Sequence, residues 1–534
     1  MTTRTVDLLD ETIPEVVATV LGLRAPDVRQ DISFTELGCT SLQLGVVCAR
    51  LGDRLGRPVP LSQVYRTGTV ESLAAWLRAG DGASAPAAPA APAAAPAGAG
   101  YEGPTPLSRM QSYMFLKHMF SPDDLSLHVV RSWRLTGRPD RAALREAVAT
   151  VHHRHRFLSS EYLFKEAPYI QPADVPPPVM SELIADTEQE AGEVLARELA
   201  RPFRLAKGEI WRPVYVAVRQ EHLTLFGFSV HHIALDGGAA GLMSGELARA
   251  YNAAVNGSTP ELPPAADPVD VAAAHDAHLP YVDLDAQRAY WTETVRGLTP
   301  LTYPGGPEAP HGTACRMVET ALPPGTVEGV RRLASSRAVT PFAVYLGAYA
   351  QALGELTGTS DFTVGTPVNR RAHSVLNTTV SSQMDISVLR PSIGPHSTPP
   401  EAIASAARAA RDAFRHLDLS VPEIADLQSD PPPGPRNPLF QNVFVLQDND
   451  PGGLPLQGLP SQFFRPRYPG VSSEIYAEIW PSVDDGGLLV IGYQPDAVSG
   501  AFCRRLTDGL LARLAGYLTA PPHPTTDPQK QVAP

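Results

Sequence analysis

The chain has 534 residues, 43% of them hydrophobic, which is enough for several buried cores and too long for one ordinary domain. Its net charge of −12 at pH 7 argues against nucleic acid or an anionic membrane surface as a general partner. The four scattered cysteines form no Cys-x-x-Cys pair and no apolar run reaches about 18 residues, so the sequence indicates no metal site, no disulfide framework and no transmembrane helix.

Residues 1–79 predict a bundle of four helices. Apolar residues recur with helical periodicity over Val6–Leu23 and Ser41–Leu55. A short helical turn follows at Pro60–Val64, and a last helix at Val70–Leu77 is preceded by two candidate caps, Thr67 and Thr69. Four short helices of this kind form a small all-α domain.

Ser41 lies where a polar loop meets the second predicted helix, in the segment Leu37-Gly38-Cys39-Thr40-Ser41-Leu42. Gly38 lets this loop turn tightly because it has no Cβ. Two interpretations of the serine remain open from these residues. It is either an ordinary helix N-cap or an exposed hydroxyl that a modifying enzyme can reach.

The composition changes abruptly after the fourth helix. Residues 80–104 begin with a run of Ala, Pro and Gly that cannot build a core and favours an extended, semi-stiff linker. A much larger unit follows at 105–518, and residues 519–534 form a polar, proline-containing tail.

The larger unit mixes helical and strand periods, which predicts a layered α/β architecture. Helices are predicted at Asp140–His152, Gly241–Val255, Phe342–Leu356 and Phe502–Leu518. Strands are predicted at Leu223–Val230, Phe362–Thr366, Asn442–Leu446 and Leu488–Tyr493.

Two histidines and an aspartate cluster where the strand Leu223–Val230 ends, in the segment His231-His232-Ile233-Ala234-Leu235-Asp236-Gly237. Loops at strand ends commonly carry chemistry. A histidine that is neutral near pH 7 can take a proton from an attacking nucleophile, or can hold that nucleophile in place. These residues alone do not separate the two roles.

A structural interpretation of the same segment also stands. A histidine at a strand end is often a hydrogen-bonded structural residue, and adjacent strand residues point to opposite faces, so at most one of His231 and His232 faces a given cavity. Asp236 either orients the imidazole or pairs with a cation and shapes the loop. Gly237 and Gly238 serve the turn into the next helix.

The first domain resembles the acyl and peptidyl carrier proteins over residues 6–77. The resemblance rests on the order of the four helices and on Phe34-x-x-Leu37-Gly38-x-x-Ser41-Leu42, which is similar to the phosphopantetheine attachment motif. It implies that Ser41 carries 4'-phosphopantetheine, whose flexible arm delivers a thioester at high effective concentration. Many members have Asp or His before the serine, where this chain has Thr40.

The larger unit resembles the condensation domains of nonribosomal peptide synthetases over residues 105–518. Besides the His-His segment, five motifs occur in the family's order. They are Pro106-Leu107-Ser108-x-x-Gln111-x-x-Met114, Arg154-His155-Arg156-Phe157-Leu158-Ser159-Ser160-Glu161-Tyr162, Gln287-Arg288-Ala289-Tyr290-Trp291, Val364-Gly365-Thr366-Pro367-Val368-Asn369-Arg370-Arg371-Ala372-His373 and Asn437-Pro438-Leu439-Phe440-Gln441-Asn442-Val443-Phe444-Val445-Leu446-Gln447.

This resemblance implies a fold of two chloramphenicol-acetyltransferase-like halves, placed at 105–274 and 275–518, with substrates reaching their junction through a tunnel. It implies that His232 is the catalytic or positioning histidine and His231 a packed neighbour. Asp236 is then structural and salt-bridged to Arg371, and the backbone N–H of Gly237 lies near the developing oxyanion.

Two motifs depart from the family pattern. In the second, Ser159 stands where Arg is usual and Arg156 where Glu is usual. If the family's Arg at position 159 braces the tunnel, other residues must brace it in this chain. After Gly237, Gly238-Ala239 replaces the usual Trp-Ser or Val-Ser and leaves more room, which suggests an unusual acceptor.

The combined resemblances predict a cytoplasmic acyltransferase that forms an amide bond in secondary-metabolite biosynthesis. A phosphopantetheinyl transferase would modify Ser41, and an adenylation or acyl-loading enzyme would act in trans. The acceptor would be a second carrier protein or a free small molecule. The tail at 519–534 is expected to be a natural end, which fits a stand-alone didomain or the end of an assembly line.

Three alternatives remain at this stage. An ester-forming O-acyltransferase differs only in its acceptor. A catalytically silent docking platform is compatible with the altered second motif, although His232 and Asp236 argue against it. An epimerisation domain shares the fold, but the Asn437–Gln447 motif and the residues after Asp236 argue against it.

Overall fold

The computed structural model describes residues 3–80, 103–304, 314–394, 396–431, 436–447, 452–465, 469–482 and 486–519. Most of the predicted linker at 80–104 and of the tail at 519–534 lies outside these ranges.

The helices of the described residues begin and end as follows. They are α1 (Thr3–Leu21), α2 (Ser41–Leu55), α3 (Leu61–Thr67), α4 (Val70–Gly80), α5 (Arg109–Phe120), α6 (Arg141–Arg154), α7 (Glu188–Leu199), α8 (Gly237–Val255), α9 (Pro268–Asp276), α10 (Leu284–Thr294), α11 (Thr326–Ser336), α12 (Pro341–Thr357), α13 (Ser374–Asn377), α14 (Pro399–Phe414), α15 (Val421–Ala425) and α16 (Gly500–Thr519).

The strands of the same residues form three sheets. They are β1 (Thr105–Pro106), β2 (His128–Thr136), β3 (Ser160–Phe164), β4 (Pro168–Pro172), β5 (Ser181–Ala185), β6 (Trp211–Val218), β7 (Leu223–His231), β8 (Arg316–Ala321), β9 (Val364–Asn369), β10 (Met384–Leu389), β11 (Asn442–Leu446), β12 (Ser461–Phe463), β13 (Ile475–Trp480) and β14 (Leu488–Tyr493).

The four N-terminal helices pack into the bundle that the sequence predicts. Their apolar rows meet in one core, in which Ile13, Val17, Val47, Leu51 and Leu73 are fully buried. Burial of such side chains stabilises a domain by about 1.5–3 kcal/mol each. Thr69, one of the two candidate caps of α4, accepts a hydrogen bond from the backbone N–H of Ser72 at 3.1 Å.

Two sheets dominate the larger unit, which confirms the predicted α/β architecture. The first half contains a five-stranded sheet in the order β12-β2-β7-β6-β5 and a small sheet β1-β4-β3, and the second half contains a six-stranded sheet in the order β10-β9-β11-β13-β14-β8. Each half has its own hydrophobic core. Every residue of β7 is buried, and β2 and β6 pair with its two edges.

One segment crosses the boundary that the sequence places between residues 274 and 275. Strand β12 follows the second half in sequence, but it pairs antiparallel with β2 of the first half. Leu454 and Leu456, a few residues earlier, are buried in the core of the first half. The crossing covers the edge of β2, which would otherwise expose unpaired backbone groups. The segment that contains β12 therefore belongs to the second half in sequence but to the first half in space.

The helical bundle packs against the second half through α2 and α3. Val368 and Leu417 of the larger unit are buried against the core of the bundle. The rings of Tyr65 and Phe414 lie 5.3 Å apart, and the Arg415 Nε donates to the Tyr65 carbonyl at 3.3 Å. Among the described helices, none combines the length and apolar character needed to cross a bilayer.

Candidate active site

The two adjacent histidines have different surroundings at the end of β7. His231 is the last residue of the strand, is 1% exposed, and its Nδ1 accepts a hydrogen bond from the Ile233 N–H at 3.2 Å. Its ring packs edge-on against His118, with centroids 5.1 Å apart. His232 follows the strand and is half-buried, so it is the more exposed of the pair, although its Nδ1 is buried. The two side chains therefore differ in exposure, as is expected of neighbouring residues that point to opposite faces.

The position of His232 is fixed through the backbone on both sides. Its own N–H donates to the Leu127 carbonyl at 2.7 Å, and the Gln111 Nε2 donates to the Ile233 carbonyl at 2.9 Å. Gln111 stands in a capping box with Ser108 at the start of α5, which places its side chain. The sequence named Gln111 as part of a motif but assigned it no role.

Burial lowers the pKa of the His232 imidazole below its ordinary value of 6.5. The backbone of His232, the charge of Asp236 and the backbone of Leu235 raise it in part, but the net shift is downward. The imidazole is therefore neutral at pH 7 and has a nitrogen available to accept a proton.

Asp236 is the N-cap of α8 and its carboxylate is only 4% exposed. It accepts hydrogen bonds from the Ala239 N–H at 2.7 Å and the Gln383 N–H at 2.6 Å, and both oxygens lie 3.2 Å from the Arg371 Nη2. None of these contacts involves His232. Of the two roles left open by the sequence, the geometry supports pairing with a cation and shaping of the loop.

The helix after this loop begins earlier than the sequence predicts. Helix α8 starts at Gly237 rather than Gly241, because the Asp236 cap satisfies the Ala239 N–H and so permits two glycines in the first turn. Gly237 and Gly238 are thus the first helical residues, not a turn before the helix. The N–H of a first helical residue has no partner within its helix, which leaves that of Gly237 able to bind an anion.

Gly237 and Gly238 leave space around the histidine loop. A Cβ at Gly237 would meet no heavy atom within 4 Å, and a Cβ at Gly238 would lie 3.5 Å from the Arg371 Nε and the Asp236 Oδ1. Both distances from position 238 are ordinary van der Waals contacts. A residue as large as tryptophan at 238 would have to pass this buried pair, which explains why the small residue leaves more room.

Arg371 joins the second half of the unit to the histidine loop. Its guanidinium is 3% exposed and donates to Asp236, to the Ser381 carbonyl at 2.7 Å, to the Thr379 carbonyl at 3.1 Å and to the Leu376 carbonyl. The ion pair that the family resemblance implies between Asp236 and Arg371 is present, and the carbonyls compensate the guanidinium for lost water.

The altered second motif braces the site through a buried acid that sequence reasoning missed. His155 donates from Nε2 to the Glu246 Oε2 at 2.6 Å, and its Nδ1 accepts from the Val380 N–H at 3.2 Å. The Arg154 Nε donates to the same Glu246 oxygen at 3.0 Å. Val380 lies between Thr379 and Ser381, two of the three residues whose carbonyls accept from Arg371. The only sequence signal for Glu246 is an isolated acid in the apolar, small-residue helix α8.

Ser159, which stands where the family has Arg, does not replace that brace. It is buried and its hydroxyl donates only locally, to the His155 carbonyl at 3.4 Å. Bracing from this motif instead comes from Arg154 and His155 through Glu246.

Ser41 is the first residue of α2, and the N-cap interpretation of it is wrong. The cap is Thr40, whose Oγ1 accepts from the Gln43 N–H at 3.3 Å while the Gln43 Oε1 accepts from the Thr40 N–H at 2.9 Å. Gly38 in the preceding loop has φ +88°, a conformation that favours glycine. A serine at the positive end of a helix fits a phosphodiester, because a helix N-terminus stabilises negative charge.

Comparison with known proteins matches both parts of the chain. Residues 101–461 match the family model described as "Condensation domain", and residues 11–77 match that described as "Phosphopantetheine attachment site". A domain of the second kind carries 4'-phosphopantetheine covalently on a serine.

Curated relatives are large synthetases. The chain is 23% identical to bacitracin synthase 3 of Bacillus licheniformis over 81% of this chain, and 28% identical to phosphinothricin tripeptide synthetase PhsC of Streptomyces viridochromogenes over 65%. It spans 7% of the first relative and 33% of the second.

Solved structures support the fold. The X-domain from teicoplanin biosynthesis has a TM-score of 0.68 at 21% identity and covers 78% of this chain and 95% of its own. The first condensation domain of the calcium-dependent antibiotic synthetase also has a TM-score of 0.68, at 19% identity, over 79% of this chain and 98% of its own.

Replacing Arg371 by alanine is expected to lower the free energy of unfolding by about 3–5 kcal/mol, because it leaves Asp236 buried without its cation. Urea unfolding followed by fluorescence measures the loss. Arg332→Ala is the matched control, since Arg332 pairs with Glu328 at 3.4 Å on an exposed helix face and should cost less than about 1 kcal/mol. Equal losses in the two variants would contradict a structural role for the buried pair.

Proposed function

Because the chain belongs to the condensation-domain family, we propose that it transfers an acyl, aminoacyl or peptidyl group from its own carrier thioester to an amine, forming an amide bond. The observation that carries this proposal is the neutral, half-buried imidazole of His232 beside an aspartate that is fully engaged elsewhere. In this proposal residues 1–79 are the carrier domain, 80–104 the linker and 105–518 the condensation domain.

The residues of the loop divide the chemistry among them. Bound at Ser41, 4'-phosphopantetheine supplies a thioester on a long flexible arm. His232 accepts the proton of the incoming amine, or holds the amine in place for attack. The N–H of Gly237 stabilises the negative charge that develops on the carbonyl oxygen. His231, Asp236 and Arg371 do not touch the reacting atoms in this proposal but hold the loop.

The proposed reaction requires partners. A phosphopantetheinyl transferase modifies Ser41, and an adenylation or other acyl-loading enzyme acts in trans. The acceptor amine is presented by a second carrier protein or is a free small molecule. We place the protein in the cytoplasm, where its four unpaired cysteines remain reduced.

The variant His232→Ala is expected to lower acyl transfer to an amine by about 10²–10⁴-fold, the range for loss of a general base. The assay uses full-length protein whose carrier has been loaded from acyl-coenzyme A donors, offered amine and alcohol acceptors in parallel. His222→Ala, an exposed histidine before β7, is the control and should keep full activity.

Unchanged turnover in His232→Ala would contradict the proposal. Products formed only with alcohols would identify ester formation, and exchange of the α-proton without condensation would identify epimerisation.

The pH dependence of transfer follows from the lowered pKa of His232. Because burial lowers this pKa below 6.5, the neutral form and the activity that needs it persist as the pH falls from 7 to 6.5 and are lost only lower. With kcat/KM calculated on the neutral form of the amine, we expect an acid limb below 6.5 at the same position for a weakly basic aromatic amine and for an aliphatic amine. A limb at or above 6.5, or one that moves with the acceptor, would contradict assignment to His232.

Ser41→Ala is expected to abolish the mass gain that the full-length chain shows after treatment with coenzyme A and a phosphopantetheinyl transferase, because the acceptor hydroxyl is gone. Intact-protein mass spectrometry measures it. Ser72→Ala, an exposed serine of α4, should still gain the full mass. A mass gain in Ser41→Ala would place the arm elsewhere.

A further inference from the structure

Gly45 lies where helix α2 of the carrier passes directly over the backbone of the condensation domain. The glycine is buried, and a Cβ built on it would lie 3.2 Å from the carbonyl oxygen of Arg371. Such a contact is tighter than nine in ten real Cβ contacts, and its partner is backbone, which would have to shift because it cannot rotate away as a side chain can. The two domains therefore approach each other closely at this point because residue 45 has no side chain.

The rest of the same helix face continues the contact. Gly45, Ala49 and Asp53 are spaced by four residues and so lie in one row along α2. Ala49 is 3% exposed, and Asp53 accepts a hydrogen bond from the Ser374 hydroxyl at 2.7 Å. Gly45 lies one turn after the start of α2 at Ser41. The part of the helix that packs on the condensation domain therefore begins close in sequence to the residue proposed to carry the arm.

Arg371 takes part in this contact and in the active site at once. Its carbonyl oxygen lies under Gly45, while its guanidinium holds Asp236 at 3.2 Å. The docked carrier therefore rests on the same residue that fixes the histidine loop.

From this geometry we propose that Gly45 is a specificity residue, whose missing side chain allows the carrier of this chain to dock in cis on the Arg371 peptide. A carrier with a larger residue at this position is excluded from the face. The proposal rests on the proposed function only in taking the docked carrier to be the acyl donor. The docking itself requires no acyl group.

The test is Gly45→Leu in the full-length chain, measured by hydrogen–deuterium exchange with mass spectrometry. Loss of docking should raise the exchange rate of peptides covering residues 371–377 and 414–418 by at least about tenfold, since amides at a lost interface become exposed. The carrier should stay folded, because leucine is a better helix former than glycine. Slow exchange in α1 and α4 checks that it does.

Gly52→Ala and Gly45→Ala form the matched control pair within the same helix. A Cβ at Gly52 would lie 3.4 Å from the Arg57 carbonyl of the carrier itself and would meet no atom of the condensation domain within 4 Å. In the Gly52→Ala variant, peptides covering 371–377 should therefore exchange at the wild-type rate. In the Gly45→Ala variant, the same peptides should exchange faster. If Gly45→Leu unfolds the carrier, Gly45→Ala decides the question.

Wild-type exchange at 371–377 and 414–418 in both Gly45 variants would overturn the proposal and would leave the role of His232 untouched. Conversely, full activity of His232→Ala would overturn the proposed function and would leave the docking result standing. The two failures are therefore distinguishable.

Discussion

Arg371 and Asp236 face each other across the junction of the two halves, with 3.2 Å between the guanidinium and both carboxylate oxygens. Removing two charges from water is costly, and the attraction between them does not always repay it. Here further bonds share that cost, since Asp236 accepts two backbone N–H groups and Arg371 donates to three carbonyls. The pair is therefore stable only when both halves are in place.

The geometry of His232 follows from this pair. With Asp236 held as the cap of α8, the loop from His231 to Gly237 has both ends fixed, one in β7 and the other in the helix. Gln111 and the Leu127 carbonyl fix its middle. The imidazole is then presented without a direct carboxylate partner, so its pKa is governed mainly by burial. The carrier rests on the backbone of Arg371, so the domain that we propose as the source of the acyl group lies beside the same residue.

Local patterns in the sequence predict α2, β11 and β14 to the residue, because α2 follows a capping threonine and the two strands are short, largely apolar runs between polar residues or glycine. The start of α8 was placed four residues late, since two glycines argue against a helix and only the Asp236 cap overrides them. The crossing of β12 and the pairing of Glu246 with His155 join residues far apart in the chain, so no local period announces them. The family resemblance supplied the Arg371–Asp236 pair, which spacing alone could not.

The measurement that tests this account most directly is a double-mutant cycle of Asp236→Asn and Arg371→Met on the free energy of unfolding. If the two side chains stabilise the junction as a unit, each single variant leaves a buried polar group unpaired, and the double variant loses less than the sum. We predict a coupling energy of about 1–3 kcal/mol. Additive losses, within about 0.5 kcal/mol, would contradict the dependence of the site on this pair.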